Sequence, residues 1–172
     1  MNANRQVRIE KITLNIGAGK HPGMLEKGFK LLESLTDKKP IKTTTMKRIA
    51  SWGLRPRLPI GAKVTMRGED AKTMLKRLIA AKDNVLSEKM IDTQANMSFG
   101  IAECIDIPDT KYDPDIGIIG LEVAVTFERP GYRIKKRRLL TRKVPTKQKV
   151  TKEEVIDLLK AEFGVSFGEE EA

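Results

Sequence analysis

The apolar residues of this chain change period several times, and that switching restricts it to a fold that mixes strands with helices. Val7 and Ile9 alternate with polar residues; Ile12, Leu14 and Ile16 then alternate in the opposite phase, so residues 7–16 read as a strand. Residues 24–35 place Leu25, Phe29, Leu32 and Leu35 on one helical face. A short strand over 41–45 follows Pro40, and residues 46–61, with two prolines and two glycines, read as irregular. Residues 62–67 alternate again, with Ala62, Val64 and Met66 on one side and Lys63, Thr65 and Arg67 on the other. The strongest helical stripe is Ala71, Met74, Leu75, Leu78 and Ile79, within 69–81. Residues 99–107 and 121–127 alternate as strands, and the last helix is announced by Thr151 with Glu154 three residues on and by Gly164 at its end. The expected architecture is α+β: a largely antiparallel sheet, helices over one face, and a polar opposite face carrying Thr13, Asn15, Lys63, Thr65 and Arg67. One domain is expected over 1–168, followed by an acidic tail at 169–172.

Charge is distributed in blocks. The chain of 172 residues has a formal net charge of +10. Residues 38–82 hold 13 basic and 2 acidic groups, and residues 129–152 hold 11 basic and none acidic. Residues 83–128 and 153–172 are net acidic. A mixed, solvated surface is the bland alternative, but eleven cations without an acidic neighbour repel one another strongly unless a polyanion covers them. Trp52 differs from the other aromatics in falling within a basic irregular stretch. There it either stacks on a base or sugar or anchors the loop on the domain.

Chemistry other than binding finds little support. Gly17-Ala-Gly19-Lys20 lies between a strand and a helix, as a phosphate loop does. That motif needs a glycine where Leu14 stands and a hydroxyl residue where His21 stands. His21 and Cys104 are the only residues of their types, too few for a structural zinc site and far apart in sequence for a nucleophile–base pair. No enzyme activity, cofactor or metal is therefore expected. The single cysteine fits a reducing cytosol, and no apolar run reaches membrane-spanning length.

Several segments, in order along nearly the whole chain, resemble the universal large-subunit ribosomal protein number five family, which binds 5S ribosomal RNA. They are Ile9-Glu-Lys-Ile-Thr-Leu-Asn-Ile-Gly17, Lys39-Pro-Ile-Lys-Thr43, Pro59-Ile-Gly-Ala-Lys-Val-Thr-Met-Arg-Gly-Glu69, Ser98-Phe-Gly-Ile101 leading to Ile107-Pro, and Tyr112-Asp113. Arg129-Pro-Gly-Tyr-Arg133 and the residues after it resemble the archaeal and eukaryotic branch. The resemblance implies a structural protein of the cytoplasmic ribosome, in the central protuberance beside other large-subunit proteins. The family's 5S-binding asparagine, threonine and arginine fall on Asn15, Thr65 and Arg67, with Lys63 on the same polar face. A family glutamine falls on Lys38, which is a departure. The family loop that reaches toward peptidyl-site tRNA corresponds to residues 46–58 and makes Lys47, Arg48, Trp52, Arg55 and Arg57 candidates for tRNA or ribosomal RNA. The basic segment, with Arg133, Lys135, Lys136, Arg137, Arg138, Arg142 and Lys143, is the candidate for 23S ribosomal RNA. The family also meets a small-subunit protein at an intersubunit bridge, for which the acidic 106–115 loop is the candidate. A free-standing RNA-binding regulator or chaperone is the competing expectation.

Overall fold

A computed structural model of the chain describes residues 3–110 and 113–168. Tyr112 and the acidic tail lie outside them. The elements run β1 (Arg8–Gly17), α1 (Pro22–Thr36), β2 (Ile41–Thr44), β3 (Pro59–Met66), α2 (Glu69–Ala80), β4 (Val85–Leu86), β5 (Met97–Ile101), β6 (Leu121–Glu128), α3 (Arg133–Lys136), α4 (Lys152–Phe163) and β7 (Ser166–Phe167). Five strands form one mostly antiparallel sheet in the order β2-β3-β1-β6-β5, while β4 and β7 pair in parallel. The expected α+β class is thus the observed one. The chain divides into two compact units, one of residues 13–66 and 99–123, the other of residues 1–12, 67–98 and 124–172.

In the first unit, alternation becomes a division between faces. Ile12 at its border, then Leu14, Ile16, Ala62, Val64 and Met66, are buried, while Lys63 and Thr65 are exposed and Thr13 and Asn15 half-buried. Helix α1 covers the apolar side, burying Leu25, Leu31, Leu32 and Leu35. It comes so close to β1 that a Cβ on Gly28 would stand 3.1 Å from the Ile16 side chain. Phe29 is half-buried, and Lys42 of β2 holds its ammonium 5.7 Å from the ring centroid. Strand register explains this placement. Lys42 opposes Ala62, which points toward the helix, whereas Ile41 opposes Lys63 and Thr43 opposes Gly61 on the polar side.

In the second unit, α2 buries Ala71, Met74, Leu75, Leu78 and Ile79, the whole stripe seen in sequence. Glu69 and Asp70 occupy its first turn, where carboxylates favour the helix dipole. Helix α4 begins with the expected capping box. Thr151 Oγ1 accepts from the Glu154 N–H, and Glu154 Oε2 accepts from the Thr151 N–H at 3.1 Å. Gly164 closes the helix in the left-handed conformation, and Val155 and Leu159 face inward. The chain then returns to β4, where the Ser166 N–H donates to the Asn84 carbonyl at 2.9 Å.

Two expectations are corrected. The strand foreseen over 99–107 stops at Ile101, and residues Cys104–Asp106 turn as a 3₁₀ helix instead. The alternation is already broken in sequence by Glu103 at an inward position. Buried Ile101, Cys104 and Ile107 recur at every third residue, the 3₁₀ period, and Ile105 is exposed. Gly120 presses on this bend, since a Cβ there would lie 2.8 Å from the Ala102 carbonyl oxygen. The irregular stretch also ends earlier than foreseen, because Pro59–Gly61 already belong to β3. Proline is tolerated there as the strand's first residue.

Gly61 has the tightest surroundings of the described glycines. A Cβ on it would stand 2.6 Å from the Ile16 carbonyl oxygen, a backbone atom that cannot swing away. Gly61→Ala should therefore cost about 1–3 kcal/mol in urea unfolding. Gly100→Ala, whose Cβ would meet nothing within 4 Å, should stay within about 0.5 kcal/mol of the parent.

Candidate nucleic-acid interface

The polar side of the sheet in the first unit carries Thr13, Asn15, Thr43, Lys63 and Thr65. Asn15 is held from one side, its Nδ2 donating to Glu122 Oε2 at 2.9 Å. Glu122 was not singled out in sequence, although the alternation of β6 places it outward. It makes this face hydrogen-bonding rather than uniformly cationic. Lys38 sits half-buried between α1 and β2. Arg67 is exposed one residue beyond β3, in the stretch that belongs to the second unit. The face therefore gathers Asn15, Lys63 and Thr65, and it does not include Arg67, which follows the end of β3.

Residues 45–58 form a structured projection. At its root, the Thr45 N–H donates to the Leu58 carbonyl at 3.0 Å and the Arg57 N–H to the Thr45 carbonyl at 2.8 Å. Nearer the tip, Ile49 and Leu54 exchange two backbone hydrogen bonds around a 3₁₀ turn, Ala50–Trp52. The backbone thus satisfies itself and turns its side chains outward: Lys47, Arg48, Arg55 and Arg57 are all exposed. Trp52 is 65% exposed, which decides against an anchor packed on the domain. Lys20 was missed in sequence as part of this feature. The Ala18 N–H donates to the Ile60 carbonyl at 2.8 Å, and a Cβ on Gly53 would lie 3.8 Å from Lys20 Cδ. The glycine turn thus brings a fifth cation to the projection.

In the second unit the basic segment separates into cations that hold the fold and cations that do not. Lys136 Nζ lies 2.6 Å from Glu10 Oε1 and 2.7 Å from Glu128 Oε2, and Arg8 Nη2 lies 2.7 Å from Glu128 Oε1. Arg129 is buried and pairs with Glu154, the carboxylate that also caps α4. The Tyr132 hydroxyl donates to the Gln148 carbonyl at 3.0 Å and accepts from the Val150 N–H at 3.1 Å. Arg137 Nε donates to the Leu140 carbonyl. Lys136, a candidate RNA contact from sequence, is therefore committed to two carboxylates. Arg133, Lys135, Arg138, Arg142 and Lys143 are exposed or half-exposed, and no acidic partner meets them among the described residues.

Among known proteins, the family model for ribosomal protein L5 matches residues 2–55, and the model for the C-terminus of the same ribosomal family matches residues 59–158. The chain belongs to the L5 family of ribosomal proteins. It is 44% identical to large ribosomal subunit protein uL5 of Methanosphaera stadtmanae, over 96% of this chain and 99% of that protein. It is 48% identical to uL5 of Nanoarchaeum equitans, over 94% of this chain and 95% of that protein. It is 42% identical to uL5 of Sulfurisphaera tokodaii, over 98% of this chain and 96% of that protein. As an L5-family protein of archaeal type it is a structural, non-enzymatic constituent of the large ribosomal subunit and resides in the cytoplasmic ribosome.

Glu128 and Lys136 of this L5-family protein contribute to its pH response. Burial pushes the Glu128 carboxyl up, but hydrogen bonds from Lys136 and Arg8, with their charges, outweigh it and hold the carboxyl below the ordinary glutamate value of 4.5. Burial likewise lowers Lys136, and its bonds to Glu10 and Glu128 outweigh that and raise it above 10.5. The Glu128 contribution is thus complete above pH 4.5 and lost as pH falls through the lowered value; that of Lys136 is complete below pH 10.5 and lost as pH rises past the raised one. Glu128→Gln should flatten the acid limb of the stability curve. At pH 7, Lys136→Met should cost about 1 kcal/mol or more, and Arg138→Met should stay within about 0.5 kcal/mol, both read by urea denaturation.

Proposed function

We propose that this protein attaches 5S ribosomal RNA to the large subunit through the polar sheet face that carries Asn15, Lys63 and Thr65, together with Arg67 and Lys38. The observation that carries the reading is that α1 covers one side of these strands and leaves the other open, with its hydrogen-bonding groups exposed or half-exposed. An RNA helix offers 2′-hydroxyls and phosphates across a shallow minor groove, which neutral hydroxyl and amide groups meet as well as cations do. Glu122 takes one of the two Asn15 amide N–H groups, which leaves the amide oxygen to accept from a 2′-hydroxyl and the second N–H to donate. Lys63 and Arg67 meet phosphate, and the guanidinium can do so with two parallel donors.

The same reading divides the remaining partners. The 45–58 projection, with Lys20, Lys47, Arg48, Arg55, Arg57 and an outward Trp52, suits a reach to peptidyl-site tRNA or to ribosomal RNA backbone. The exposed cations of residues 133–143 suit 23S ribosomal RNA. Asp106, Asp109, Asp113 and Asp115 are exposed and suit a basic small-subunit protein at an intersubunit bridge.

Asn15→Ala and Thr65→Ala should each weaken 5S RNA binding about fivefold, the equivalent of one neutral hydrogen bond, and leave the unfolding midpoint nearly unchanged. Unaltered affinity of both variants in calorimetry would overturn the site assignment. Replacing Arg55 and Arg57 together by glutamine should leave 5S affinity within about twofold, because both side chains stand on the projection and away from the sheet face. A collapse of 5S binding in that variant would make the projection part of the main RNA site.

A further inference from the structure

The second unit contains a cavity of about 700 Å³ lined in part by the basic segment. Buried Phe127 and Val150 and the half-buried Tyr132 are part of its lining. The Tyr132 ring cannot turn freely, because its hydroxyl is held by Gln148 and Val150. Lys135, Arg142, Lys143 and Lys149 also line it, and no acidic residue does so among the described residues. Thr93 and Gln94 line it as well, from a separate stretch of the chain. Their turn is held by Asp92, whose Oδ1 accepts from the Gln94 N–H at 2.8 Å and the Asn96 N–H at 2.7 Å.

An inorganic anion would satisfy the cations and leave the aromatic lining idle, and an apolar ligand would do the reverse. A nucleotide uses both, since its base stacks on rings and its phosphate meets lysine and arginine. We propose that this cavity takes one unstacked nucleotide of an RNA strand, with the base toward Phe127 and Tyr132 and the phosphate among Lys135, Arg142, Lys143 and Lys149. The RNA strand, rather than a free nucleotide, is the source, because Arg133 and Arg138 continue the basic surface on the same segment and have no role for a single phosphate. The inference rests on the reading of residues 133–143 as RNA-binding.

The test uses the full chain and two RNA hairpins that differ at one bulged position, a normal nucleotide in one and an abasic residue in the other. The phosphate charge is the same in both. The chain should prefer the normal bulge about tenfold. Thr146→Trp and Gln94→Trp each place a large ring in the lining, from two separate stretches of the chain, without changing charge. Each folded variant should lose the preference and keep its affinity for the abasic hairpin. Equal binding of both hairpins by the parent chain, or a preference that survives both substitutions, overturns the cavity assignment and leaves the segment's RNA-binding reading intact. Failure to bind either hairpin overturns both. Replacing Arg133 and Arg138 by glutamine should weaken both hairpins alike without touching the preference, and loss of the preference alone in that variant would overturn the assignment.

Discussion

The carboxylates at the root of the basic segment are the constraint on which the second unit depends. Residues 129–152 hold eleven cations and no acidic group. The carboxylates that meet these cations lie outside the segment: Glu128 and Glu154 flank it, and Glu10 comes from β1. Glu10 and Glu128 meet Lys136, Glu128 also meets Arg8, and Glu154 meets the buried Arg129. Glu154 has two tasks, since the same carboxylate completes the cap of α4. Two of these carboxylates are deeply sheltered, at 14% and 11% side-chain exposure for Glu10 and Glu128, so each ion is paired as a sheltered charge must be.

Neutralising the root leaves the outer cations for a ligand. Arg133, Lys135, Arg138, Arg142 and Lys143 extend from a segment whose path is set by Tyr132, Arg129 and Lys136. The 45–58 projection follows the same logic with a different device. It has no carboxylate at all, and its backbone hydrogen bonds at root and tip hold the cations outward. A cationic surface held in place before binding loses less entropy when RNA arrives than a free chain would. The sheet face of the first unit is different again, a hydrogen-bonding surface tempered by Glu122 rather than a cationic one.

Much of this was legible in the sequence where the physics is local. The α2 stripe, the Thr151–Glu154 box and the Gly164 cap depend on residues a few positions apart, and the structure has them all, while the two-sided strand read at 62–67 runs from Pro59 to Met66 and leaves Arg67 outside. The order of motifs pointed to the L5 family, which the family models match over most of the chain. The exposed cations and Trp52 of the 46–58 stretch were also named from sequence. Alternation failed at 99–107, where Glu103 already broke the pattern and Gly120, nearly twenty residues away, presses on the bend.

The sequence by itself therefore determined the fold class, the family and the blocks of charge, because period and composition are properties of short windows. Only the tertiary structure decided which charges are used internally. Lys136 and Arg138 are two residues apart in one basic run, yet one is bound by two carboxylates and the other meets none among the described residues. Asn15 acquires its partner Glu122 from 107 positions away. The cavity likewise needs the 92–96 turn to face residues 141–150. Such pairings depend on which strands become neighbours, and strand neighbourhood is set by long-range burial that no short window of sequence contains.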